Sequence, residues 1–222
     1  MSMASESLSP VIANFFTASS HGADAVSDVE LRSFQASAQG QTPHLLFIGC
    51  SDSRVPESTV FFSEPGDIFV HRNIANQFHT DDDNALSVLT YGLQALQIPN
   101  VIVLGHTDCG GAKFSYEAAN ADPVPPTTPL ERWLAPLTTL AGTLPGAIPR
   151  PPPGTSEYER EFRLVIDENV KAQVGYVEEI VRALGLPSTV CIQGGVYEIE
   201  TGKLIRVGKQ IVVIGTEAET AV

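Results

Sequence analysis

Residues Asn100-Val101-Ile102-Val103-Leu104-Gly105 run directly into His106-Thr107-Asp108-Cys109-Gly110-Gly111. The first six are short, continuous, apolar and rich in β-branched residues, and a glycine stops them. That pattern reads as a strand buried on both faces. The next six carry an imidazole, a carboxylate and a thiol where the strand ends. The same design occurs upstream. His44–Gly49 (HLLFIG) reads as a second buried strand and runs into Cys50-Ser51-Asp52-Ser53-Arg54, and Asp67–Val70 (DIFV) reads as a third strand. Asp83–Gln97 begins with acidic residues and repeats Leu86, Leu89, Leu93 and Leu96 at helical spacing, which predicts a helix. Buried strands alternating with helices require right-handed crossovers and a mostly parallel sheet, hence an α/β fold. Ligands of such sheets bind beyond the carboxyl ends of the strands, so the two reactive segments are expected to converge.

Outward from this centre the chain is less regular. Pro123–Pro153 holds ten of the 16 prolines and reads as a surface excursion around one short helix near Leu130–Leu134. A long helix is predicted over Glu157–Leu184, with Val170, Val174, Val177, Val181 and Leu184 as its buried stripe. Strands are predicted at Thr189–Gln193, Val196–Glu200 and Leu204–Val207, with a Thr201-Gly202 turn, and Gln210–Ile214 is a candidate edge strand. Residues 1–40 are small and polar, with Leu8, Val11, Ile12, Phe15 and Phe16 as scattered apolar positions. They suit one or two helices, either a fraying terminus or an arm on a partner subunit. The expected division is a helical arm over 1–40 and an α/β domain over 41–222, the latter including the proline-rich excursion at 123–153.

Composition removes whole classes of function. The 222 residues carry 13 Lys+Arg against 26 Asp+Glu, a formal charge of −13, which disfavours nucleic acid and anionic membrane surfaces as partners. No apolar run approaches the roughly 20 residues of a membrane span. Three cysteines are too few for a disulfide scaffold, so a reducing compartment is expected, with thiols acting as ligands, nucleophiles or core residues. The N-terminus has no secretory pattern, and its first basic residue, Arg32, follows four acidic ones. The expected location is cytoplasmic; a mitochondrial one stays open if a leader was removed.

His106 and Cys109 are three residues apart, and Cys50 adds a second thiolate from a neighbouring strand. Two thiolates and an imidazole form a zinc set, and three protein ligands leave a fourth position for chemistry. The two thiolates neutralise Zn²⁺, so hydroxide at the fourth position needs help. Asp52 can accept its hydrogen bond, and Arg54 can hold that carboxylate ionised. A lone cysteine after a strand is more commonly a core residue, and Cys191 is read that way. Cys50 does not suit a phosphatase nucleophile, because Arg54 follows too soon. His44, His71 and His79 lack ligand-spaced companions and read as structural or surface residues, His71 and His79 being minor candidates for a proton relay.

CSDSRVP (50–56), GDIFVHRNIAN (66–76) and VLGHTDCGG (103–111), in that order, resemble the β-class carbonic anhydrases, zinc enzymes that hydrate CO₂. The resemblance is close from Gln41 to Gly111 and weaker over Glu157–Leu184 and Val196–Gly202. It implies one Zn²⁺ per chain on Cys50, His106 and Cys109, with Asp52 and Arg54 as the catalytic dyad. It further implies that Gln41 bonds bicarbonate, that Phe69 and Tyr91 line an apolar CO₂ pocket, and that the Gly110 backbone lies beside the substrate. Gln41, Phe69 and Tyr91 are expected to come from a neighbouring subunit, which implies a homodimer or a higher even oligomer. Some relatives close the site by making the aspartate a fourth ligand, under the control of a tryptophan three residues before the first cysteine. Phe47 stands there in this chain, although Arg72 matches the arginine of that regulatory pocket, so an open site is expected.

The expected function is reversible hydration of CO₂ to bicarbonate and a proton by zinc-bound hydroxide. Two alternatives are a related zinc hydrolase of carbonyl sulfide or carbon disulfide, and a non-catalytic zinc or bicarbonate-sensing domain. The intact Asp52–Arg54 pair argues against the second, because a structural zinc needs no oriented carboxylate.

Overall fold

The computed structural model describes residues 9–119, 125–146 and 149–215. Two compact units divide the chain, one ending at Gln41 and one beginning at Thr42. The first holds helices α1 (Pro10–Asp24) and α2 (Asp28–Ser37). Pro10 opens α1, and a capping box of Ser27 and Glu30 opens α2. No residue of either helix is buried, and Val11, Phe15, Phe16, Val29 and Phe34 are exposed.

The second unit is built on five strands: β1 (Leu45–Cys50), β2 (Ile68–Asn73), β3 (Asn100–His106), β4 (Val190–Glu198) and β5 (Lys203–Val213). They lie in the order β2-β1-β3-β4-β5, and only β5 is antiparallel to its neighbour. The expected α/β fold with a mostly parallel sheet is therefore what the chain adopts. The chain leaves β1 for β2 on one side and then crosses to β3 on the other. That reversal opens a crevice at the carboxyl ends of β1 and β3. Leu46, Phe47, Ile48, Val101, Val103 and Leu104 are almost completely buried, as double-sided coverage demands.

The helices are α3 (Glu57–Phe61), α4 (Asp83–Thr90), α5 (Gly110–Ala118), α6 (Pro129–Thr143) and α7 (Ser156–Ala183). α7 packs on β3 and β4. It comes close because Gly105 and Gly194 lie beneath it: a Cβ at either would stand 2.8 Å from a methyl of Val170. Val170, Val174, Val177 and Val181 are buried as expected, while Leu184 is only half-buried.

Four readings need correction. The helix expected over Asp83–Gln97 is α-helical only to Thr90 and continues as a π-helical turn, Tyr91–Ala95. The two strands expected at Thr189–Gln193 and Val196–Glu200 are one strand, β4. Gly194-Gly195 looks like a break but is the place where the sheet makes room for Val170 and Leu104. The strands expected at Leu204–Val207 and Gln210–Ile214 are likewise one, β5, carried through Gly208 at φ +71°. The helix expected near Leu130–Leu134 extends to 15 residues as α6, started by Pro129 and a Thr128–Glu131 capping box. Leu134, Leu137 and Ala141 bury its inner face, so the excursion contributes to the core. Part of that excursion, residues 120–124 and 147–148, lies outside the described residues. No helix among the described residues is long and apolar enough to cross a membrane.

Candidate metal centre

Cys50 is the last residue of β1, His106 is the last of β3, and Cys109 precedes the first turn of α5. Gly49 is opposite Leu104 in the parallel register, so Cys50 and His106 leave the sheet within one residue of each other. All three side chains are buried, at 5%, 1% and 2% exposure. Their ligand atoms lie within 4.8 Å of one another, and the two sulfurs are 3.9 Å apart.

The imidazole is oriented for coordination. His106 Nδ1 lies 2.8 Å from the Thr107 carbonyl, which can only accept, so Nδ1 carries the proton. Nε2 is left with its lone pair, buried and without a hydrogen-bond partner. A carbonyl that fixes the tautomer in this way is the usual support of a metal-ligating histidine.

With protons alone the trio is electrostatically uneven. The hydrogen bond from Cys109 pulls the Cys50 thiol well below its ordinary value. The same bond, and then burial, pushes Cys109 far up. Burial opposes charge on His106, yet the adjacent Cys50 sulfur outweighs it and raises the imidazole. The three groups thus compete for positive charge in a dry site. A divalent soft or borderline cation satisfies all of them, so the residues fit zinc.

Asp52 stands beside this cluster. Its Oδ1 accepts from Arg54 N–H at 2.9 Å and Nε–H at 3.0 Å, and its Oδ2 accepts from Nη2 at 2.7 Å. These bonds, led by that to the guanidinium, hold the carboxyl well below the usual carboxylate range. Oδ2 is 3.9 Å from His106 Nε2. Arg54 also donates from Nη1 to Asp108 Oδ2 at 2.9 Å and from Nη2 to the Asp108 carbonyl at 3.1 Å, tying the loop after β1 to the loop after β3. Asp108, within the HTDCGG segment, joins the site through Arg54. Its left-handed backbone, φ +53°, is one that Asp tolerates and that turns its carboxylate to Arg54.

Gly110 directly follows Cys109 at the start of α5. Gly110 is exposed, with open space where a Cβ would be. Phe69 and Tyr91 stack with ring centroids 5.8 Å apart, and Tyr91 is exposed. Phe69 pairs with Leu46, four residues before Cys50 and so about 13 Å back along the strand. One chain therefore does not bring these aromatics to its own cluster. Gln41 is exposed at the end of the N-terminal unit. Cys191 is half-buried rather than in the core, because it lies on the penultimate strand under the edge, opposite Asn100 at the far end of β3 from His106. His71 is buried and shares a hydrogen bond with Asn73, His79 stacks on Trp133, and His44 is exposed.

The turn after β2, Asn73–Gln77, is held by its own side chains. Asn73 clamps the Gln77 backbone through both amide atoms, while Ala75 and Asn76 take left-handed conformations. Buried Gln77, Asn169 and Gln173 bond one another and the Ala75 carbonyl. A Cβ on Gly111 would meet Ala75 Cβ and Ile74 Cγ2 at 2.9 Å, so this turn backs the start of α5 directly. Trp133 of α6 donates to the Ile74 carbonyl at 2.9 Å and braces the turn from outside.

A family model described as carbonic anhydrase matches residues 45–204. The chain belongs to this family. A carbonic anhydrase of Candida albicans is 41% identical over 104 residues, which are 47% of this chain and 35% of that protein. The matched stretches span about a third of the length of the first curated relatives. Among solved structures, one of two tetrameric β-carbonic anhydrases of Sordaria macrospora superposes with TM-score 0.73 at 27% identity, covering 91% of this chain and all of that one. The Coccomyxa β-carbonic anhydrase complexed with acetazolamide gives TM-score 0.68 at 29% identity, covering 93% and 89%. These neighbours place the chain in the β class of its family.

Proposed function

We propose that this chain catalyses the reversible hydration of CO₂ to bicarbonate and a proton, with one zinc held by Cys50, His106 and Cys109. The observation that carries this reading is the unpartnered, buried His106 Nε2 beside two thiols, with an ionised carboxylate next to it. Zinc, when bound, supplies the Lewis acidity that makes water a nucleophile near neutral pH.

The chain's own residues do the rest. Asp52 accepts a hydrogen bond from the attacking water and aims its lone pair at CO₂. Arg54 keeps Asp52 charged and stops it turning, through three hydrogen bonds. The burial of Cys50, His106 and Cys109 keeps bulk water from the ligands. Phe69 and Tyr91 of a second copy form the apolar wall for CO₂, and Gln41 receives bicarbonate, so the working unit is a homodimer or a higher even oligomer. The register distance between Phe69 and Cys50 within one chain supports this sharing. Helices α1 and α2, with no buried residue of their own, serve as the arm that grips that copy. Two ligand thiolates require a reducing compartment, consistent with a cytoplasmic location.

Metal analysis together with stopped-flow CO₂ hydration tests the proposal. About one zinc per chain and hydration activity are expected. A zinc-loaded protein without hydration activity would refute it, and release of sulfide from carbonyl sulfide in its place would select the hydrolase alternative.

A further inference from the structure

Arg72 reaches the loop that carries Asp52. It lies near the end of β2, opposite Gly49. Its Nε–H donates to the Cys50 carbonyl at 2.8 Å, and Nη2 donates to the Asp52 carbonyl at 2.6 Å. Nη1 lies 3.7 Å from the Glu57 carboxylate, in the first turn of α3. The planar fork therefore spans the turn after β1, touching its first residue, its third and the start of the next helix.

Asp52 is thus held at two places by two arginines. Arg54 holds its carboxylate and Arg72 its backbone. The carboxylate stands 3.9 Å from His106 Nε2, so a modest rotation of the Cys50–Asp52 turn decides whether it stays beside the fourth metal position or enters it. We infer that Arg72 is a positioning residue that latches this turn, keeps Asp52 out of the metal's coordination sphere and leaves the fourth position exchangeable. Glu57 is its tether. A lysine cannot replace it, because a single ammonium on a flexible stem does not span two carbonyls in a fixed plane.

The inference rests on the proposed metal site, and its test reads coordination apart from turnover. The cobalt-substituted parent, Arg72→Lys, Arg72→Met and Glu57→Gln are each titrated with azide, following the visible cobalt bands, with metal content and thermal unfolding measured alongside. In the parent, azide enters the fourth position and shifts the bands. In both Arg72 variants, azide affinity falls roughly tenfold, the loss expected when one hydrogen bond to a charged group goes, with metal retained. The kcat falls with it while KM changes little, and Glu57→Gln moves the same way by a smaller factor. Azide affinity in Arg72→Met within twofold of the parent overturns the latch, as does full restoration by lysine, which would assign the effect to charge alone. If Arg72→Met does not fold, unchanged azide binding in both Arg72→Lys and Glu57→Gln overturns it equally. A parent that binds cobalt and azide but does not hydrate CO₂ would refute the proposed function while still reading the latch.

Discussion

Replacing Asp52 by Asn tests the centre of the proposed chemistry with the smallest change in shape. The amide keeps one oxygen for Arg54 and loses the charge. Arg54 makes three bonds to the carboxylate, at 2.7–3.0 Å, and two more to Asp108, so the loops stay joined through Asp108. The fold should lose little, about 1 kcal/mol, because Arg54 is 45% exposed and such pairs are screened. The rate should lose more. A hydrogen bond from water to an ionised acceptor contributes about 1.5–3 kcal/mol, which converts to roughly 10- to 150-fold in kcat. Zinc should remain, since Asp52 is not one of the three proposed ligands. The assay is stopped-flow hydration at neutral pH on protein whose zinc has been quantified. A fully loaded variant within twofold of the parent rate would refute the orienting role. Loss of zinc would show instead that Asp52 is a ligand. The same depressed pKa has a sign: Asp52's stabilising pairing is complete above the unfolded carboxylate value near 4 and is lost as pH falls through the lower folded value. Asp52 protonation therefore should not limit the rate between pH 5 and 8.

Cys109→Ala should abolish zinc binding, read by metal analysis after dialysis, since one thiolate and one imidazole hold zinc poorly; retention of one zinc per chain would remove Cys109 from the ligand set. Gly111→Ala should destabilise the fold by about 1–3 kcal/mol, seen in thermal unfolding, because its Cβ falls 2.9 Å from Ala75 Cβ and Ile74 Cγ2. Tyr116→Phe should cost about 1.5–3 kcal/mol of stability, because it removes the 2.8 Å bond to buried Glu161 from a ring that lies under the Arg150 guanidinium. Mixing a Cys109→Ala copy with a Tyr91→Ala copy should restore part of the activity that each lacks, because a shared site is complete in one half of the mixed pair; mixtures no more active than the two parents would show that each chain works alone.

The sheet was legible where sequence and burial agree. Runs such as Val101–Leu104 have no polar alternative, and their order along the chain dictates parallel crossovers. The errors share a physical cause. Gly194-Gly195, Gly208 and the prolines of 123–153 are local punctuation, and tertiary packing overrode each of them. Val170 needs the space that Gly194 leaves, and Leu134, Leu137 and Ala141 have a core to enter. The cluster of Cys50, His106 and Cys109 could be placed because all three follow strands directly, and strand ends have few positions available. Asp108 and Arg72 were less legible, since their work is done through backbone carbonyls and through a partner on another loop. Sequence spacing carries no record of a side chain donating to a main-chain oxygen twenty residues away.

That difference bears on how the site is built. A metal set at two strand ends inherits the stiffness of the sheet, but the carboxylate that serves it sits on a turn, where backbone freedom is greatest. The chain compensates with charge rather than with packing. Arg54 spans both loops, and Arg72 reaches across from β2 to the same turn. Two guanidinium groups for one carboxylate would be wasteful if Asp52 had only to be ionised, because the hydrogen bond from Arg54 is already the leading cause of its depressed pKa. They make sense if its position matters to a fraction of an ångström, as it does for a group that must lie beside a coordination position without occupying it. Arg54 fixes the direction of the carboxylate and Arg72 the origin of its side chain, so the turn is constrained at both ends of that side chain.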